Sequence, residues 1–139
     1  MVVTHRDPVK AIPSLCSLME MAHTVTEGAA ADPRHAGPRE EALWSEATRR
    51  ALEVRASHED QFHDVYHQAF HADPMGVVRG IYEKFGLTLT DETRTKMAAR
   101  IQSKPELSHG VHSYEIDRFG LEHDHIRTTF KDYIARFSL

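Results

Sequence analysis

Arg6 and Ser14 stand eight positions apart near the start of the chain, in the run His5-Arg6-Asp7-Pro8-Val9-Lys10-Ala11-Ile12-Pro13-Ser14. A guanidinium offers a planar fork of donors that suits phosphate oxygens. A serine hydroxyl, and amides freed where a helix starts irregularly, would add further donors. Together Arg6 and Ser14 could share one phosphate. The plainer alternative is that Arg6 pairs with Asp7 or Glu20 at the surface while Ser14 faces water, and the residues alone leave both open.

Other side chains invite chemistry less strongly. The chain has eleven histidines, and His63, His67 and His71, spaced by four, would lie along one side of a helix in a pattern able to hold a metal. His109 and His112 could donate to a phosphate when protonated, or be exposed loop residues. His5 is placed to tune or pack its turn, and no general base can be assigned. Cys16 lies among apolar helical positions and reads as a small core residue. Arg49, Arg50 and Arg55 read as a solvated helix face.

These residues need elements to hold them. Met1 to His5 is a short β-prone run, and Asp7-Pro8 gives a capping residue followed by proline at the first helical position. The chain therefore opens strand, then helix, which places Arg6 at the strand's carboxyl end, where ligands of open α/β sheets bind. Pro13 should disturb the first helical turn. Gly28 to Pro38 reads as a surface loop, and Pro38 starts a second helix whose Trp44, Ala47, Ala51 and Val54 would line its inner face. Phe62 to Tyr66 fits a strand or a helix end. Asp73-Pro74 repeats the cap signal, Val78, Ile81, Tyr82 and Phe85 form an apolar stripe, and Gly86 can close that helix. Thr90 caps a helix that Pro105 stops, and Ile126, Phe130, Tyr133, Ile134 and Phe137 supply the last stripe.

The composition narrows the partners. With 17 basic against 21 acidic residues in 139, the net charge is −4, so no cationic surplus exists to bind a nucleic-acid backbone. A single cysteine rules out an internal disulfide. No apolar run approaches the roughly 20 residues of a membrane span, and Met1 leads into Val-Val-Thr rather than a leader segment. A cytoplasmic location is the expectation.

Arg-x-Pro followed by a serine eight positions after the arginine resembles the 3'-phosphate motif of the sulfotransferases that use 3'-phosphoadenosine-5'-phosphosulfate. The resemblance continues through Pro13-Ser14-Leu15-Cys16-Ser17-Leu18, Trp44, Phe62-His63-Asp64-Val65, Asp73-Pro74, Val78-Arg79-Gly80-Ile81-Tyr82 and Phe85-Gly86-Leu87. It ends in His109-Gly110-Val111-His112-Ser113-Tyr114, Phe119-Gly120-Leu121 and Phe130-Lys131-Asp132-Tyr133. The order is similar to that of a bacterial branch of the family.

The resemblance implies an α/β chain with a truncated P-loop-like sulfotransferase fold, mostly helical with one or two short parallel strands. Residues 1–139 would be the C-terminal part of the domain, the phosphosulfate loop belonging to a part that precedes them. It implies in-line transfer of a sulfuryl group from the nucleotide donor to a small-molecule hydroxyl or amine. Arg6 and Ser14 would hold the donor's 3'-phosphate, His109 and Gly110 would close over the nucleotide, and no metal would be used. It also makes His63 to His67 a strand, which would spread those imidazoles to about 13 Å, too far for one ion. Without the donor loop, catalysis by the chain alone stays open. The alternative reading is a non-catalytic remnant that binds a complementary N-terminal chain or forms a homodimer.

Overall fold

The computed structural model describes residues 1–28, 32–103 and 116–139. Its elements run β1 (Val2–His5), α1 (Pro8–Glu27), α2 (Pro33–Ala56), a 3-10 turn (Glu59–Gln61), β2 (His63–Tyr66), α3 (His67–Ala72), α4 (Pro74–Lys84) and α5 (Asp91–Gln102). A second 3-10 turn (Ile116–Phe119), α6 (His123–Thr129) and α7 (Lys131–Phe137) complete it. The described residues are mostly helical, with one parallel pair of strands in the register Val2↔His63 through His5↔Tyr66. This is the α/β character expected.

Three helices begin on an Asp-Pro pair for the same reason. Asp7 Oδ1 accepts from the Val9 amide at 3.0 Å, Asp32 Oδ1 from Arg34 at 3.0 Å, and Asp73 Oδ1 from Gly76 at 2.8 Å. The following proline has its φ preset and no N–H to leave unsatisfied. Thr90 caps α5 through the Thr93 amide at 3.2 Å. Gly28 ends α1 at φ 70°, in the left-handed region that glycine tolerates.

The chain divides into two compact units. One comprises β1, β2 and α3–α5, and is thinly cored. Val65 and His5 are buried in it, whereas α3, α4 and α5 bury no residue fully. The other comprises α1, α2, the second 3-10 turn, α6 and α7, and holds a continuous apolar cluster of Ile12, Cys16, Phe119, Leu121, Ile126 and Phe130. Val9, Ile116 and Ile134 pack around that cluster.

Several expectations are corrected. The second helix starts at Pro33 rather than Pro38, because Asp32-Pro33 is itself a cap signal, and Pro38 is carried inside α2. Its buried residues are Gly37, Glu40, Glu41 and Arg55. The apolar face faces outward instead, with Leu43 59%, Trp44 43% and Val54 61% exposed. Small size decides part of this, since a Cβ on Gly37 would stand 2.0 Å from the Phe119 carbonyl oxygen, so only glycine lets the turn approach. Phe62 to Tyr66 resolves as strand from His63, because it completes the ladder with β1. The last apolar stripe divides at Phe130 into α6 and α7.

Candidate functional site

Arg6 directly follows β1, and Asp7 turns the chain into α1. Arg6 is half-buried, and among the described residues no carboxylate or carbonyl engages its guanidinium. The two acids that could neutralise it are committed elsewhere. Asp7 caps α1 through Val9, and Glu20 accepts a charge-assisted hydrogen bond from Arg118. The surface pairing considered for Arg6 is therefore absent.

Ser14 is half-buried in the second turn of α1. Six residues of helical rise separate it from Pro8, about 9 Å along the axis. Thr24 and Thr26 of the same helix fold their hydroxyls back onto the carbonyls of Glu20 and Ala22, at 2.8 and 2.9 Å. Among the described residues Ser14 makes no such bond, so its hydroxyl is not held by the backbone. The expectation of freed amides at an irregular helix start is corrected. Asp7 satisfies the first turn, its carboxylate accepting from Val9 and its carbonyl from Lys10 and Ala11, both at 2.9 Å. Pro13 sits within α1 without delaying it.

His5, 1% exposed, donates from Nε2 to Asp64 Oδ1 at 2.8 Å and tilts its ring against Tyr66 at 5.5 Å between centroids. This pair ties the neighbouring strands at the point where the chain leaves the sheet. Asp64 was not identified from sequence, since only the register of the parallel strands brings it to His5. The reading of His5 as a residue that packs and tunes its turn agrees with this geometry.

His109 and Gly110 lie outside the described residues. His63 belongs to β2, while His67 and His71 belong to α3. Among the described residues no three His, Cys, Asp or Glu side chains converge as a metal site. Cys16 is fully buried, and burial, followed by the nearby Glu40 carboxylate, pushes its thiol up to about 11. It is inert at neutral pH.

Arg55 departs from the expected solvated face. It is buried, grips Glu59 with two bonds of 2.8 Å and lies 5.2 Å from the Phe137 ring centroid. Arg49 and Arg50 remain exposed on α2, where their hydrogen bonds hold the Glu46 carboxyl down to about 2. A cleft of about 400 Å³ between α2 and α6–α7 is lined by Glu46, Glu53 and Asp132 beside Arg49, Phe130 and Tyr133. Its carboxylates outnumber its one cation, so it does not suit an anionic nucleotide.

The sequence profile described as the sulfotransferase family matches residues 1–91, which include β1, Arg6, Ser14 and β2. The chain belongs to the sulfotransferase family. It superposes on the crystal structure of sulfotransferase STF9 from Mycobacterium avium with a TM-score of 0.83 and 29% identity, covering 97% of this chain and 35% of that one. The crystal structure of sulfotransferase STF1 from Mycobacterium tuberculosis H37Rv gives a TM-score of 0.73 and 33% identity, covering 94% of this chain and 33% of that one. The sulfotransferase chain described here thus spans about a third of the length of these relatives. No curated protein matches it. The family's strand within 63–67 is present as β2, but it ends at Tyr66, and His67 opens a helix.

Proposed function

We propose that this chain serves sulfuryl transfer from 3'-phosphoadenosine-5'-phosphosulfate to a hydroxyl or amine of a small molecule, and that its own part is to hold the nucleotide. Arg6 and Ser14 grip the 3'-phosphate. In such a transfer the acceptor oxygen or nitrogen bonds to sulfur, the bond from sulfur to the phosphate oxygen breaks, and the acceptor's proton leaves to a base. The 3'-phosphate lies away from those reacting atoms, so Arg6 and Ser14 act by orientation. His109 and Gly110 are assigned to the same nucleotide on the family resemblance alone. The reaction needs no metal from this chain, and the cytoplasm is its compartment.

The observation that carries the reading is a half-buried arginine directly after a parallel strand, with Asp7 and Glu20 both engaged by other groups. An arginine that no carboxylate engages among the described residues is suited to an external anion. Calorimetric titration with adenosine 3',5'-bisphosphate tests it. Saturable binding is expected, lost in Arg6→Ala and weakened in Ser14→Ala. Absence of binding by the folded chain would overturn the proposal.

One observation favours a second reading, association with a complementary chain or a second copy. Along α2, Leu43, Trp44 and Val54 are each exposed, and exposed apolar side chains of this size are the material of an interface. Concentration-dependent sedimentation without nucleotide binding would select it.

A further inference from the structure

His67 and His71 are one helical turn apart on α3, and both are exposed. Their Nε2 atoms approach to 3.2 Å and their ring centroids to 4.3 Å. Four-residue spacing stacks side chains on one helix face, and two histidines so spaced form the zinc-binding half of the H-x-x-x-H pattern. The nitrogen separation is the decisive quantity. Two ligands at about 2.0–2.1 Å from one ion, with their nitrogens 3.2 Å apart, subtend about 100°, between square-planar and tetrahedral angles. The side chains therefore already stand at a chelating bite.

We propose that His67 and His71 form a two-imidazole clasp for a borderline divalent transition cation, zinc or nickel in character. Unbound, one Nε2–H points at the other ring's lone pair. On binding, the donating ring shifts its proton to Nδ1, both Nε2 lone pairs turn to the ion, and water completes the coordination shell. Phe70 fixes one side of the clasp, meeting the His71 ring edge-on at 6.3 Å. His63 takes no part, since it lies on β2 against Phe85.

The gain falls on α3. That helix has six residues, no side-chain N-cap and no buried residue, and a helix so short is marginal in water. A cation bridging one turn holds the turn closed, so binding free energy becomes local helix stability. The sequence is His67-Gln68-Ala69-Phe70-His71, with glutamine where the hydrolytic metal motif has its glutamate base. The clasp is accordingly a structural site, independent of the donor-binding proposal.

Zinc titration of the full chain, followed by calorimetry and by the imidazole NMR signals, tests the clasp. The expected result is one site whose affinity falls on the order of tenfold or more in His67→Gln and in His71→Gln. Exposed His35→Gln, a control among the other histidines, leaves it unchanged. Zinc should also slow amide exchange within α3 in the wild-type chain alone. Binding retained by the His67→Gln/His71→Gln double variant, or no binding by the wild-type chain, would overturn the proposal.

Discussion

Glu41 is the residue whose chemistry its surroundings satisfy least. Its Oε1 is buried without a hydrogen-bond partner among the described residues, and His125 Nε2 stands 3.6 Å away on an exposed side chain. An ionised oxygen in that position forfeits its hydration without replacement. Glu41→Gln keeps the shape and removes the charge, so it should stabilise the chain by about 1 kcal/mol, read as a higher urea midpoint at unchanged slope. A lower midpoint would show that His125 pairs with the carboxylate strongly enough to matter. Residues of this kind were not legible in the sequence. Two adjacent glutamates just after Pro38 fit the first turn of a helix, and nothing local to them announces that α2 buries both beside the close approach of Gly37 to Phe119. Arg6 was legible, because an arginine after a β-prone run and before Asp-Pro has one natural place in the chain. Its lack of a partner among the described residues was not, since Glu20, which the sequence offers as one, is engaged by Arg118 from 98 positions away.

At the scale of elements, sequence reading succeeded where a local rule dominates and failed where tertiary contacts choose the face. Asp7-Pro8, Asp73-Pro74 and Thr90 each start a helix as their cap chemistry requires, and Asp32-Pro33 obeys the same rule five residues before Pro38. The inner face of α2 could not be chosen by hydrophobic count, because its apolar residues point outward while its small Gly37 admits a backbone turn. Gly37→Ala discriminates between two opposing effects. Alanine in a helix interior gains about 1 kcal/mol over glycine, but here the new methyl would meet Phe119 O at 2.0 Å and Leu121 Cγ at 2.8 Å. A backbone atom cannot rotate aside, and overpacking typically costs about 1–3 kcal/mol. Net destabilisation is expected, seen as a lower melting temperature. A rise would mean that the turn at Phe119 shifts freely.

For the whole molecule, the uneven core decides how the chain should open. The unit of α1, α2, α6 and α7 buries Ile12, Cys16, Phe119, Leu121, Ile126 and Phe130 in one cluster. The unit of β1, β2 and α3–α5 has only His5 and Val65 buried among its described residues, and Phe85 remains 40% exposed. Apolar burial sets the free energy of local opening. Amides of α1 and α6 should therefore exchange with solvent only through global unfolding, whereas those of α4 and α5 should exchange through smaller, faster openings. Native-state hydrogen exchange across a denaturant series reads this directly. Ser14 lies between Ile12 and Cys16 of the cluster, on the element expected to open last, so a phosphate subsite there would be held by the stiffer unit. Equal protection in α1 and α5 would instead mean that the two units unfold together. Nucleotide binding would then protect α5 as much as α1, rather than acting first on the helix that carries Ser14.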